Sequence, residues 1–400
     1  MAEPDAIARC VGDPTHFLRE VWTQHPRRYG GADASAWADV LSLATADALI
    51  GTGGLRYPAL RVVREGKTLP RSRFLTAHRT GGSRVGDAID PEPVLRAFAE
   101  GATLVLQGLH RFHAPVQRFC DELESFFGHP LQANAYLTPA GARGLAVHHD
   151  THDVLVLQLH GSKTWSLYAP DVADPVGAYP KQKRHRSPGE PVEELVLRAG
   201  DCLYLPRGVP HQAAGTADES SLHLTLGIRS PTWLDVLQEV MKDAPELAGL
   251  RKALPVRYGT HPGELEAGAA EMLETVAAWL RDRDPVALAA DHASRSRTRR
   301  RPSAVGRLRA LAEPDELTDA TPLRRATEVP WELAVQGDHA VLRAGEAALR
   351  FPVRILGALE IVLHAETLRA RDLADHLDAP GRAVLLRRLV REGFLRPDPT

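Results

Sequence analysis

Between Leu131 and about Arg229 the chain passes through short runs rich in β-formers, namely LQANAYL, DVLVLQLH, KTWSLYA, EELVLRAGDCLYLP and SLHLTLGI, each set off by Gly, Pro or Asp turns. No helix-period segment separates them. Strands at that density can bury their apolar faces only against one another, which means a sandwich or a barrel. Just before them, HRFHAPVQRFCDELESFFG places Phe112, Val116, Phe119, Leu123 and Phe126 at three- and four-residue spacing, so one amphipathic helix packs there and ends at Gly128. The preceding stretch from Phe17 to Leu109 mixes short amphipathic pieces with Gly- and Pro-punctuated extended runs and reads as the entry into the β domain.

After Ser230 the pattern changes. PTWLDVLQEVMKDAPELAGLRKAL and GELEAGAAEMLETVAAWLRDR are helical by period and rich in Ala, Leu and Glu. An arginine-rich stretch, SRSRTRRRPSAVGRLRA, leads to a last piece in which extended runs precede FPVRILGALEIVLHA, TLRARDLADHLDA and PGRAVLLRRLVREGFLRP, three expected helices and a terminal strand in winged-helix order. With 49 basic against 51 acidic residues, net charge gives no reason to expect a nucleic-acid sponge. Cys10, Cys120 and Cys202 are few and scattered, which suits reduced thiols. No apolar run reaches membrane-spanning length and the first residues lack a leader pattern, so the expectation is a soluble, cytoplasmic protein with no membrane partner.

The chemistry concentrates in VHHDTHDVLVLQLHGSKTWSLY. If His148 opens a strand, the two-residue side-chain period turns His148 and Asp150 to one face. Two imidazoles and one carboxylate are the facial set that non-haem Fe(II) oxygenases use, and His211, presented by the turns of GDCLYLPRGVPHQ, supplies the second imidazole. In a chain with 18 histidines a lone HxD says little; the combination with GxKxW and a downstream PRGxxH carries the metal reading. His149 faces away from Asp150, whereas His152 shares its face one pleat on and is the competing ligand. Lys163, in an apolar run, either meets an anion or sits at the Gly161-Ser162 turn in water. Trp165 and Tyr168 read as barrel core, Asp153 as structural, Arg207 as a turn residue.

These motifs, in this order and spacing, resemble the JmjC-type cupin family that includes the ribosomal oxygenases, built on a double-stranded β-helix. The resemblance implies an α+β chain: a JmjC/cupin jelly-roll oxygenase domain over 1–230, a helical dimerisation segment over 231–310 and a C-terminal winged-helix domain over 311–400. It implies Fe(II) held by His148, Asp150 and His211, with 2-oxoglutarate as co-substrate, its far carboxylate gripped by Lys163, and Asn134, Tyr136 and Thr225 lining the pocket. The implied activity is a dioxygenase that decarboxylates 2-oxoglutarate and hydroxylates a protein or peptide side chain, a ribosomal protein being the family's substrate. Alternatives are the same chemistry on a biosynthetic precursor peptide or small metabolite, and a non-catalytic regulator binding DNA through the winged helix. Acidic residues interspersed among Arg369, Arg371, Arg387, Arg388 and Arg391 weaken the DNA reading, so no nucleic-acid partner is expected. The apolar stripes Trp233, Val236, Leu237, Val240 and Met272, Leu273, Val276, Trp279, Leu280 suit a homodimer seam.

Overall fold

The computed structural model describes residues 5–31, 33–177, 189–298, 304, 307–312, 318–326, 331–344 and 347–397. The chain divides into two compact units, Met1–Ser230 and Pro231–Thr400.

In the first unit the strands are β1 (Arg27–Tyr29), β2 (Leu60–Arg64), β3 (Lys67–Thr68), β4 (Leu75–Thr80), β5 (Ser83–Ile89), β6 (Thr103–Gln107), β7 (Leu131–Thr138), β8 (Asp153–His160), β9 (Ser162–Leu167), β10 (Glu193–Arg198), β11 (Cys202–Leu205), β12 (His211–Gly215) and β13 (Ser221–Ile228). Eight of them form one sheet in the order β1-β11-β8-β13-β7-β6-β2-β3; β10-β9-β12 form a smaller one, and β4-β5 a ribbon. All the pairings are antiparallel, and most neighbours in the large sheet are distant in sequence, β8 lying between β11 and β13.

Alternation decides what each face does. Leu131, Ala133, Ala135 and Leu137 of β7, Leu222, Leu224, Leu226 and Ile228 of β13, and Leu155 and Leu157 of β8 enter an outer core shared with Phe17, Trp37, Val94, Val116, Phe119 and Leu123. The expected helix runs Ala114–Phe127 and ends at Gly128, whose positive φ of 71° suits a residue without Cβ; Phe112 lies ahead of it and is exposed. The other face of β8 and β11 gives Val154, Val156, Leu203 and Leu205 to a second core completed by Trp165, Leu167 and Leu197 of the small sheet. The space between the two sheets is therefore partly filled with apolar side chains.

In the second unit helices span Trp233–Val240, Gly263–Arg281 and Pro285–Thr298; the first gives way to 3₁₀ turns around Pro245, which cannot donate within a helix. Strands Trp331–Gln336, His339–Ala344 and Ala347–Pro352 make a meander, and helices Leu356–His364 and Ala379–Arg391 pack on a core around Leu359, Leu389 and Phe394. TLRARDLADHLDA is not the expected helix: Thr367–Leu368 pairs as a strand and only Ala370–Leu373 turns, as 3₁₀, where Asp372 accepts the Arg369 N–H at 2.6 Å. Much of the Arg295–Arg309 stretch and of the loop AYPKQKRHRSPGE lies outside the described residues. Among the described residues no helix is long and apolar enough to cross a membrane.

Candidate metal centre

His211 opens β12, whose partner is β9 of the small sheet. His148 does not open a strand, because β8 begins only at Asp153. Instead residues 141–148 form a strap along β12, with bridges Arg143 to Ala214 and His148 to His211. His148 N–H donates to His211 O at 3.1 Å and receives the reverse bond at 2.8 Å; Gly144 N–H donates to Ala213 O at 3.2 Å and Gly141 N–H to Thr216 O at 2.7 Å. Gly208 N–H donates to Asp150 O at 2.9 Å and holds the strap's end. The two-residue spacing still delivers both side chains, but from a strap tied to its neighbour rather than from the first pleat of a strand.

His148, Asp150 and His211 each bring one ligand atom within 4.8 Å of the other two. Each imidazole donates from Nδ1 to a carbonyl two residues earlier, His148 to Ala146 O at 2.9 Å and His211 to Val209 O at 3.0 Å. That fixes the tautomer and turns the Nε2 lone pairs to the shared space. His211 Nε2 lies 3.8 Å from Asp150 Oδ2. Burial, with His148 opposing protonation and Asp150 favouring it, lowers the His211 pKa to about 4, so the ring is neutral as a ligand must be. Two imidazoles and one carboxylate, with all three cysteines buried away in other packing, fit a ferrous ion and leave coordination positions for other ligands.

A cavity opens beside the triad, walled by Tyr136, Leu145, Lys163, Trp165, His223 and Thr225 among others. Lys163 does not reach water. Gly161 makes the β8–β9 turn with φ of 61° where a Cβ would stand 2.0 Å from Ser220 O, and the strand that follows sends Lys163 inward, 2% exposed. Its Nζ donates to Thr138 Oγ1 at 2.8 Å, and burial lowers its pKa to about 7. An ammonium only donates, so Thr138 accepts from it, and the two threonine hydroxyls share a further hydrogen bond, Thr138 Oγ1 to Thr103 Oγ1 at 3.2 Å. Tyr136 and Thr225 line the cavity; burial, and then the Asp150 charge, push the Tyr136 pKa up to about 12 and keep its O–H. Asn134 shares the inward face of β7 opposite Thr225 but lies outside the cavity wall, its Oδ1 accepting from Gly108 N–H at 3.0 Å.

The competing ligand is set aside by packing: the His152 ring lies over Gly227, where a Cβ would meet Cε1 at 2.8 Å, and it is not in the cluster. Asp153 is structural, accepting from Tyr204 Oη at 2.7 Å, while Arg207 pairs with Asp174 at 3.2 Å. Trp165 is both core and cavity wall. Thr103, Thr138 and His223 were missed by sequence reasoning. His223 stands two residues before Thr225 in LHLTLG, a period-2 signal that could have found it; the two threonines needed the β6–β7 register.

Residues 107–236 match the JmjC domain family. Among curated proteins, the bifunctional lysine-specific demethylase and histidyl-hydroxylase NO66 of Dictyostelium discoideum is 38% identical over 187 residues, covering 44% of this chain and 36% of that protein. Ribosomal oxygenase 1 of Gallus gallus is 33% identical over 251 residues, covering 62% and 40%. The matches thus span about two fifths of those relatives' length. Among solved structures, the Escherichia coli ribosomal oxygenase YcfD superposes with a TM-score of 0.51 at 18% identity, over 97% of this chain and 99% of that one. A structure of YcfD in complex with cobalt and 2-oxoglutarate gives 0.50 at 18% identity, over 96% and 98%. At that identity the likeness is one of fold.

Proposed function

We propose that this chain, which carries a JmjC domain over residues 107–236, is an Fe(II)- and 2-oxoglutarate-dependent oxygenase that hydroxylates a protein or peptide side chain. The observation that carries the reading is a triad of two imidazoles and one carboxylate sharing one cavity with a fully buried lysine. A buried ammonium without a counter-ion is costly, and a dicarboxylate bound between it and the triad offsets that cost. His148, Asp150 and His211 would hold the iron; Lys163 would grip the far carboxylate, with Tyr136 and Thr225 as polar wall. Asn134 has only its amide NH₂ left to offer a ligand. When bound, iron supplies the oxidative chemistry by which the keto acid is decarboxylated to succinate and a hydroxyl is placed on the substrate. The protein's part is to orient the co-substrate and keep that pocket dry, the latter through Val154, Val156 and Trp165.

The names of the relatives point to a ribosomal protein as substrate. The test is to incubate the purified protein with iron, 2-oxoglutarate and host ribosomes, following succinate and locating an added oxygen atom by peptide mass spectrometry. Absence of 2-oxoglutarate turnover overturns the oxygenase reading; turnover with hydroxylation only of a small metabolite or precursor peptide overturns the ribosomal one.

The same reading divides the chain into an oxygenase domain (1–230), a helical dimerisation segment (231–310) and a winged-helix-like module (311–400), in a cytoplasmic homodimer. The dimer is supported by apolar side chains left in water: Trp233 is 86% and Leu273 63% exposed. Trp279, half-buried, holds Arg283 over its ring at 4.2 Å. No nucleic-acid partner is proposed, since arginines of the last unit are matched locally, Arg382 by Asp319 at 2.8 Å and Arg391 by Glu392 at 3.1 Å. Sedimentation of the wild type and of a Trp279→Glu, Leu280→Glu variant checks the dimer; a wild type that sediments as a monomer at micromolar concentration ends it.

A further inference from the structure

His223 is 3% exposed and stands in the same cavity wall as Lys163 and His211, yet nothing above gives it a task. Its ring lies flat on Tyr136, centroids 4.8 Å apart and planes within 1°, and meets Trp165 edge-on at 5.6 Å. These aromatic contacts fix the ring, but a phenylalanine would pack there as well. Nδ1 is buried with no hydrogen-bond partner among the described residues. Nε2 is then the nitrogen left to face the cavity. A buried acceptor without a partner costs less than a buried N–H without one, so the proton belongs on Nε2. Burial, and then the charge of Lys163, hold the pKa well below the usual histidine range, which keeps the ring uncharged.

We infer that His223 is a further co-substrate-binding residue, its Nε2–H donating to a carboxylate oxygen of the 2-oxoglutarate that lies between Lys163 and the triad. The inference rests on the proposed function. A carboxylate has about four acceptor sites, and Lys163 already spends one donor on Thr138. A second donor without charge fills another of those sites and adds no repulsion to the lysine or the metal. The flat stack on Tyr136 fixes the plane in which that donor lies.

The test measures 2-oxoglutarate binding calorimetrically to Fe(II)-loaded protein without oxygen, where no turnover occurs, and Fe(II) binding separately. His223→Phe keeps the flat ring and removes the N–H; His223→Leu removes it too and serves if the phenylalanine variant does not fold; His223→Gln keeps an N–H donor. Expected are Fe(II) affinities within about twofold of wild type, a 2-oxoglutarate dissociation constant raised about tenfold in His223→Phe and His223→Leu, and recovery to within about threefold in His223→Gln, the scale of one hydrogen bond to a charged group. Wild-type affinity in the phenylalanine or leucine variant overturns the role of His223 and leaves the oxygenase reading standing. So does an equal loss of Fe(II) affinity, which would mark a structural role. Failure of the loaded wild type to bind 2-oxoglutarate overturns the proposed function, and this inference with it.

Discussion

Leu224 and Thr225 are neighbours in β13 that look to opposite sides of the large sheet, Leu224 into the outer core and Thr225 into the cavity wall. The two sides are built on different terms. The outer one is filled without interruption by Leu, Val, Phe and Trp from strands and helices alike. The inner one is split: β8 and β11 give it valines and leucines, whereas β6, β7 and β13 give it Thr103, Tyr136, Thr138, His223 and Thr225. One apolar layer is enough to hold the barrel closed, which frees half of the other to carry groups chosen for chemistry rather than packing.

The sharpest way to break that contrast is at the triad. Asp150→Ala or His148→Ala should abolish both iron retention and 2-oxoglutarate turnover, read by metal analysis and succinate formation, while the thermal midpoint of the metal-free protein stays within a few degrees because the outer core is untouched. Retained turnover in either variant would refute the assignment of that residue. Next in size, Lys163→Ala should leave Fe(II) binding intact and raise the 2-oxoglutarate requirement at least about tenfold; unchanged co-substrate affinity would show that the buried ammonium serves only Thr138.

The neighbouring pair tests the contrast itself. Leu224→Ala should lose about 2–5 kcal/mol of stability in denaturant melts, with little change in co-substrate affinity of the folded protein. Thr225→Ala should reverse the pattern, losing under about 1 kcal/mol but weakening 2-oxoglutarate binding a few-fold. The smallest effect is graded with pH. The Lys163 pKa is lowered to about 7, so the free site sheds its charge above that value and co-substrate binding must then take up a proton. Affinity should fall as pH rises past about 7 in the wild type, a trend absent in Lys163→Met. In the empty protein the unfolded chain holds the extra proton between about 7 and an ordinary lysine value near 10.4. Stability should therefore rise with pH across that window, again only while the lysine is present.

Local spacing made much of this visible in the sequence. HxD, GSK and PRGxxH each span a few residues, and a strand or turn fixes where they point; the helix ending at Gly128 and the alternating runs were legible for the same reason. Features that depend on register were not. The partner of Lys163 is a threonine 25 residues away, and that threonine's own partner lies 35 residues further off in sequence. His148 looked like the start of a strand because the chain there is extended, but its backbone bonds go to β12 and not to a sheet neighbour of β8. His152 shares the parity of the ligands, and only the bare α-carbon of Gly227 beneath it shows where its ring goes. TLRARDLADHLDA has helical spacing, yet Thr367 and Leu368 are claimed by a strand from Leu323–Arg325.

The strap has one more property. Its two bridges to β12 are five residues apart on the strap, Arg143 to His148, but three apart on the strand, Ala214 to His211. The surplus falls between Gly144, still bonded to Ala213 O, and His148, and Gly144 and Leu145 form part of the cavity wall. Because the same few backbone bonds close the strap, shape that wall and set the spacing of two ligands, their amides should exchange with solvent as a single cooperative unit. Iron should slow Gly144, His148 and His211 together and by a common factor, while amides of the outer core, such as Leu224, keep their own slower clock. The hydrogen-exchange pattern would thus record metal occupancy at Gly144, which never touches the ion, as well as at the two ligands.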